Sequence, residues 1–156
     1  NNFLSPVIDI NRTSVHTIQN RINNSGSASS GEAVTKGGSE LSKYITRKVE
    51  LAEEADAAEI FLNVKRPGDT DVLLFARVLG GGDTSSIEDK PFVLVNPVLG
   101  SVPVSNTFQE VKYQMDPTGA TFGTSTFSTI QFKIVLISTN SSQVPQLRDF
   151  RAIMAT

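Results

Sequence analysis

AEIFLNVKRPGDTDVLLFARVL, residues 58–79, is the most informative stretch of this sequence about its fold. Apolar side chains recur at every second position on both sides of a central Pro-Gly pair: Ile60, Leu62 and Val64 before it, and Val72, Leu74, Ala76 and Val78 after it. A period of two is typical of β-strands with one buried face. The RPGDT segment at 66–70 is a strong turn signal, so the stretch predicts an antiparallel β-hairpin.

A second alternating run lies at 127–138. Phe132, Ile134 and Leu136 share one face of an extended strand, while Val135 and Ile137 make the opposite face apolar as well. A strand that is apolar on both faces is typical of the centre of a sheet. This run therefore predicts a central strand, with Phe132, Ile134 and Leu136 in the core.

Shorter strands are predicted at 43–51, 92–95, 107–115 and 146–154, with a polar connection or a single helical turn at 52–57. In the first of these, Ile45, Val49 and Leu51 are predicted to face inward. About eight strands, separated by turns roughly every ten residues, predict an all-β fold. We expect an antiparallel β-sandwich with jelly-roll topology.

The chain divides into three predicted parts: an N-terminal arm at 1–22, a flexible Ser/Gly-rich loop at 23–40, and the β-sandwich at 41–156. Pro6 confines the first apolar segment to an edge strand or an extended arm, because proline cannot donate a ladder hydrogen bond. Residues 15–22 fit a helix or a strand. We expect the apolar arm residues to contact another subunit: Phe3, Leu4, Val7, Ile8 and Ile10.

Composition excludes several classes of protein. The 156 residues include no cysteine and one histidine, and the formal net charge is −2. Disulfide frameworks and thiolate metal sites are therefore excluded, and we expect no cofactor. The charge gives no reason to expect nucleic acid or an anionic membrane surface as a partner. The longest clearly apolar run, 134–137, is far shorter than the roughly 20 residues of a membrane-spanning helix.

No combination of residues predicts catalysis or metal binding. His16, the only histidine, has Asp9 and Ser14 nearby in sequence, but neighbours on alternating positions rarely form a triad. The acidic residues at 50–59 lack the spacing of a calcium loop and are interpreted as a solvated connection rather than a cation site or glycosidase pair. We expect a protein that is not an enzyme, with a hydrolase as a remote alternative.

Ligand binding on a sandwich would use its end loops, here 80–89 and 116–125. The candidate ligand-loop residues are Asp116, Thr118 and Phe122. Sugar platforms usually offer exposed aromatic rings for stacking. This chain has no tryptophan and two tyrosines, which weakens a carbohydrate-binding interpretation.

Five stretches follow one another in a characteristic order: FLSPVIDINRTSV, QNRINN, SKYITRKVEL, AEIFLNVKRPGDTDVLLFARVL and FKIVLISTNSSQVPQLRDFRAIMA. Together they resemble the C-terminal module of baseplate and tail structural proteins of tailed bacteriophages, particularly the cyanophage-type contractile-tailed viruses. The chain departs from that pattern at Leu73, Leu74 and Phe75, where an aromatic-rich strand is typical.

The resemblance implies a virion component without enzymatic activity, assembled in the host cytoplasm. Its partners would be other virion structural proteins, in a homo-oligomer or a hetero-assembly. It also implies that the chain is the C-terminal part of a longer polypeptide. We expect assembly through burial of residues 2–11 against a neighbouring subunit, with backbone pairing at a sheet edge. The alternative function is a carbohydrate-binding receptor-recognition module at a phage tail tip, with a glycan as partner.

Overall fold

A computed structural model describes residues 7–9, 14–16, 31–115, 122–140 and 142–156 of the chain. It contains ten described strands: β1 Val7–Asp9, β2 Ser14–His16, β3 Lys43–Ile45, β4 Val49–Ala55, β5 Ala57–Arg66, β6 Thr70–Leu79, β7 Val93–Val95, β8 Ser105–Met115, β9 Phe127–Ser138 and β10 Gln146–Ala155. A single 3₁₀ turn, Ile87–Asp89, precedes β7.

The strands form two facing antiparallel sheets and a separate pair. The small sheet has the order β10-β5-β8, and the large sheet has the order β3-β9-β6-β7, with β4 also paired to β9. The strands β1 and β2 pair with each other. The fold is thus an all-β antiparallel sandwich, as the sequence predicts.

The strand order is that of a jelly roll with one position open. An eight-stranded jelly roll sends consecutive strands back and forth between two sheets, and its last strand lies between its third and its first. If the separate β1–β2 pair is left out and β3 and β4 count as two halves of the second strand, β5 is the third strand and β10 is the eighth. No described residue occupies the first-strand position beside β10.

The core between the sheets is built by the alternating residues predicted from the sequence. All seven apolar residues of the 58–79 alternation are buried, as are Phe132 and Ile134. Leu136 is half-buried and packs against the same core. The predicted inward faces of β5, β6 and β9 are therefore confirmed.

The predicted hairpin at 58–79 is wrong. The strand β5 pairs with β8 and β10, whereas β6 pairs with β7 and β9, so the turn at 66–70 carries the chain from one sheet to the other. Thr70 Oγ1 donates to Pro67 O at 2.8 Å within this turn, and Asp69 adopts a left-handed φ of 62°. The apolar faces of β5 and β6 meet across the core. An alternating pattern shows that one face of a strand is buried. It does not show which other strand is its hydrogen-bonded neighbour.

At 43–51 the predicted inward position of Leu51 is confirmed, because it is half-buried against the core, but one continuous strand and an inward Ile45 and Val49 are wrong. The structure places β3 and β4 there, both paired to β9, and Ile45 and Val49 are exposed. Thr46 lies between them and interrupts the ladder, with its Oγ1 accepting from Phe132 N at 3.0 Å. The predicted helical turn at 52–57 is replaced by the end of β4 and the start of β5.

Candidate interaction surface at the open flank

One flank of the sandwich is open. It lies between the edge of β10 that pairs with no described residue and the β3–β4 edge of the large sheet, and we call it the open flank. Exposed apolar side chains lie along both edges: Tyr44 is 65% exposed and Phe150 is 37% exposed. On the opposite flank, Pro97 bridges to Tyr113 of β8, and Val98 N donates to Lys112 O at 2.9 Å. Among the described residues, main-chain hydrogen bonds therefore close the sandwich on one side only.

Two depressions run along the open flank, with volumes of about 250 Å³ and 380 Å³. The first reaches the core residues Leu62 and Ile134, and the second reaches Phe132. Phe150 lines both depressions and makes an edge-to-face contact with Phe132, at 5.3 Å between ring centroids. The depressions thus reach the core on either side of the Phe150 ring, although Leu62, Phe132 and Ile134 themselves are buried.

A β-bulge in β10 positions Phe150. The β10–β5 register shifts between Arg148 and Arg151, and Asp149 adopts a left-handed φ of 54°. Asn63 of β5 holds the bulge, because its Nδ2 donates to Asp149 Oδ2 at 3.1 Å. Bulges change the direction of side chains at sheet edges. Here the bulge includes Phe150, whose ring contacts Phe132 in the core.

The outer face of the small sheet has a different character. Glu59 pairs with Lys112 at 2.6 Å, and Glu110 pairs with Arg151 at 2.9 Å. The Arg151 guanidinium also lies 4.6 Å from the centre of the Phe61 ring. Most of these groups are well exposed, and exposed ion pairs contribute little to stability. This face is a solvated, charge-balanced surface.

The outer face of the large sheet carries a buried ion pair. Lys133 of β9 is 1% exposed, and its Nζ donates to Glu32 Oε2 at 2.8 Å and to Glu32 O at 2.6 Å. Glu32 also accepts from Glu40 N at 2.7 Å and from Lys43 Nζ at 2.9 Å. Residues 31–40 of the predicted Ser/Gly-rich loop are anchored here by Glu32.

Competing effects set the pKa values of Glu32 and Lys133. Burial would raise the pKa of Glu32, but hydrogen bonds from Lys133, the Glu40 amide and Lys43 outweigh it and lower that pKa. Burial lowers the pKa of Lys133, and the hydrogen bond to Glu32 opposes this. Lys133 also lies over the rings of Phe75 and Phe92, at 5.2 Å and 4.4 Å from their centres. The Glu32–Lys133 pair is therefore suited to holding residues 31–40 against the outer face of the large sheet.

Arg77 of β6 extends the buried polar layer. Its Nε and Nη2 donate to Gln131 Oε1 at 2.9 Å and 2.6 Å, and its Nη1 donates to Thr35 O at 3.1 Å. Burial lowers the pKa of Arg77, and the negative charges of Glu88 and Asp89 partly oppose this decrease. Sequence reasoning missed this layer. The signal available was an arginine and a lysine inside runs that are otherwise apolar on both faces, since such charges are buried only when paired.

The loop end of the sandwich holds a polar depression of about 360 Å³. Gly80 to Asp83 and Phe122 to Thr124 line it, together with Glu54, Lys90 and Thr126. Of the candidate ligand-loop residues, Asp116 and Thr118 lie outside the described residues, and Phe122 is half-buried against the core. An ion pair with Lys90 lowers the pKa of Asp83, with further hydrogen bonds from Ser85.

The predicted arm lies only partly within the described residues. Phe3, Leu4 and Ile10 lie outside them, while Val7 and Ile8 belong to β1, in register with His16 and Val15 of β2. Within the described residues no group of three or more His, Asp or Glu side chains could hold a metal ion. No helix among them is long and apolar enough to cross a membrane.

In comparisons with known proteins, no family model, no curated protein and no solved structure matches this chain.

Proposed function

We propose that this chain is a non-enzymatic structural subunit of a phage tail or baseplate, acting as a protein–protein assembly module. The open flank carries this proposal, because exposed apolar residues there lie beside depressions that reach the core, whereas main-chain hydrogen bonds close the opposite flank. Contiguous exposed apolar surface beside a free sheet edge is typical of a site that another chain covers. The phage context rests on the sequence resemblance alone.

The mechanism is edge pairing combined with apolar burial. A neighbouring chain that pairs with this edge of β10 gains main-chain hydrogen bonds, and its alternate side chains enter the depressions. Each apolar side chain buried contributes about 1.5–3 kcal/mol gross. Ordering the incoming segment and losing its freedom of motion offset much of this gain.

Two measurements test the proposal. Mass spectrometry of purified phage particles should detect the chain in a fixed ratio to other virion proteins. Light scattering on the isolated chain should give a defined oligomer. Absence from the particles would contradict the virion assignment, and turnover in a broad hydrolase screen that His16→Ala abolishes would contradict the absence of catalysis.

The loop-end depression favours one alternative, a carbohydrate-binding receptor-recognition module at a tail tip. Its lining combines carboxylates, hydroxyls, one lysine and one phenylalanine. Polar groups around an aromatic ring are the usual means of holding a sugar. Glycan-array binding that Phe122→Ala and Glu54→Gln both abolish, in a chain that stays monomeric, would favour this alternative over the assembly module.

A further inference from the structure

We propose that residues 31–40 form a strap that opens from the outer face of the large sheet while the sandwich stays folded, and that Glu32 is the residue that holds it closed. This inference goes beyond the proposed assembly function and does not depend on it. It starts from the way in which the strap is attached. Residues 33–39 are all exposed, and Glu32 and Glu40 are the buried residues of the segment.

Apolar packing contributes little to this attachment. The largest apolar side chain of the strap, Val34, is 38% exposed. Neither of the two described apolar clusters of the sandwich contains a strap residue. Segments with few buried apolar contacts open locally, at a lower cost than unfolding of the whole domain. The strap therefore has the properties of a segment that can open by itself.

Polar contacts hold the strap, and they converge on the carboxylate of Glu32. This carboxylate accepts from Lys133 Nζ at 2.8 Å and from Lys43 Nζ at 2.9 Å. It also accepts from the backbone N of Glu40 at 2.7 Å, so the two ends of the strap are joined at the same group. The closed strap thus depends on one negative charge.

Two further contacts join the strap to the sheet, and both go to main-chain oxygens. Lys43 Nζ donates to Gly37 O at 2.9 Å, and Arg77 Nη1 donates to Thr35 O at 3.1 Å. Water can replace both bonds when the strap opens. Arg77 would keep its bonds to Gln131, which lies in β9 and not in the strap.

Lys133 makes the closed strap sensitive to the state of Glu32. The lysine side chain is 1% exposed, so its charge is compensated in the closed strap by Glu32. Without that carboxylate, the closed strap would bury an unpaired ammonium group, which is strongly unfavourable. Opening would return the ammonium group to water. Loss of the Glu32 charge should therefore open the strap.

Gly38 allows the carboxylate to reach its place. A Cβ at this position would overlap the Glu32 carboxylate, and the φ of Gly38 is 106°, which L side chains rarely adopt. Alanine at position 38 should therefore displace Glu32 without changing any charge. Gly82 is a suitable comparison, because a Cβ there would meet no atom within 4 Å.

Limited trypsin digestion of the full chain tests the inference. Lys36 is a cleavage site in the strap, whereas Lys65 in β5 and Lys112 in β8 are sites within the sandwich. The rate of cleavage at each site is divided by its rate in the chain unfolded in urea, which corrects for the sequence preference of the protease. The fragments are identified by mass spectrometry.

Glu32→Gln and Gly38→Ala are the test variants. The matched control for the first is Glu110→Gln, which removes a carboxylate from the exposed ion pair with Arg151. The control for the second is Gly82→Ala. We expect both test variants to be cleaved after Lys36 at least about tenfold faster than the parent chain and the controls, with the sandwich sites still protected.

Two results would overturn the inference. Equal cleavage after Lys36 in the parent chain and in both test variants would show that Glu32 does not hold the strap. Cleavage at Lys65 and Lys112 as fast as at Lys36 would show that the strap opens only when the whole sandwich unfolds. Neither result affects the virion assignment, which the particle inventory tests.

Discussion

The two faces of the large sheet are covered by different means. Its inner face packs against the small sheet through apolar side chains, among them Ile130, Phe132 and Ile134. Its outer face is covered by residues 31–40 and 83–92, where Lys133 and Glu32 form a buried ion pair beside Phe75. Apolar packing tolerates loss in proportion to the volume removed, whereas a buried charge depends on one specific partner. The two faces should therefore respond differently to substitution.

The largest expected effect is on the outer face. Glu32→Gln removes the charge that pairs with Lys133, whose side chain is 1% exposed. Removing one partner of a buried pair leaves an uncompensated charge and costs about 3–5 kcal/mol. We expect a loss of that size in the free energy of unfolding, measured by urea denaturation of the full chain.

A double variant sharpens this result. Glu32→Gln combined with Lys133→Met removes both charges at nearly the same volume, and such replacements are often neutral. We expect the double variant to recover most of the lost stability. If it were as unstable as Glu32→Gln alone, the cost would come from the packing of residues 31–40 and not from the unpaired lysine.

The inner face is expected to lose somewhat less. Ile134→Ala deletes a buried side chain from the centre of β9 and should reduce the free energy of unfolding by about 2–5 kcal/mol. Leu136→Ala, at the half-buried end of the same face, is the matched control and should cost less. A change below about half a kcal/mol for Ile134→Ala would contradict its position in the core.

The ion pair should also give the outer face a distinct pH dependence. The pKa of Glu32 is lowered in the folded chain from an ordinary value of 4.5, so it stabilises the fold above that pH and loses this contribution as pH falls through the lowered value. Stability of the parent chain should decrease more steeply below pH 4.5 than that of Glu32→Gln. Parallel pH profiles of the two chains would contradict the role of Glu32.

The smallest effect concerns the buried hydroxyl of Tyr113. Tyr113 is 1% exposed, and its hydroxyl has no hydrogen-bond partner among the described residues. Tyr113→Phe removes an unsatisfied group and should leave stability unchanged or raise it by about 1 kcal/mol. The exposed Tyr44→Phe serves as the control. A clear loss of stability in Tyr113→Phe would show that the hydroxyl is hydrogen-bonded in solution.

The sequence predicted correctly which faces of the long strands are buried. The alternation in β5, β6 and β9 predicted their buried faces because a period of two follows from strand geometry itself. It failed for the pairing of β5 with β6, since a short turn can join two strands of one sheet or cross between two sheets. It also failed to identify Glu32, which lies within a polar stretch whose composition is typical of loops.

The sequence by itself determined the fold class, the apolar faces of the long strands and the apolar character of residues 2–11, because each depends on residues close together along the chain. Only the tertiary structure decided the strand order, the open position beside β10, and the meeting of Glu32 with a lysine 101 residues away. These features arise from contacts between distant segments. Such contacts depend on how the whole chain packs, so they cannot be predicted from a local sequence pattern.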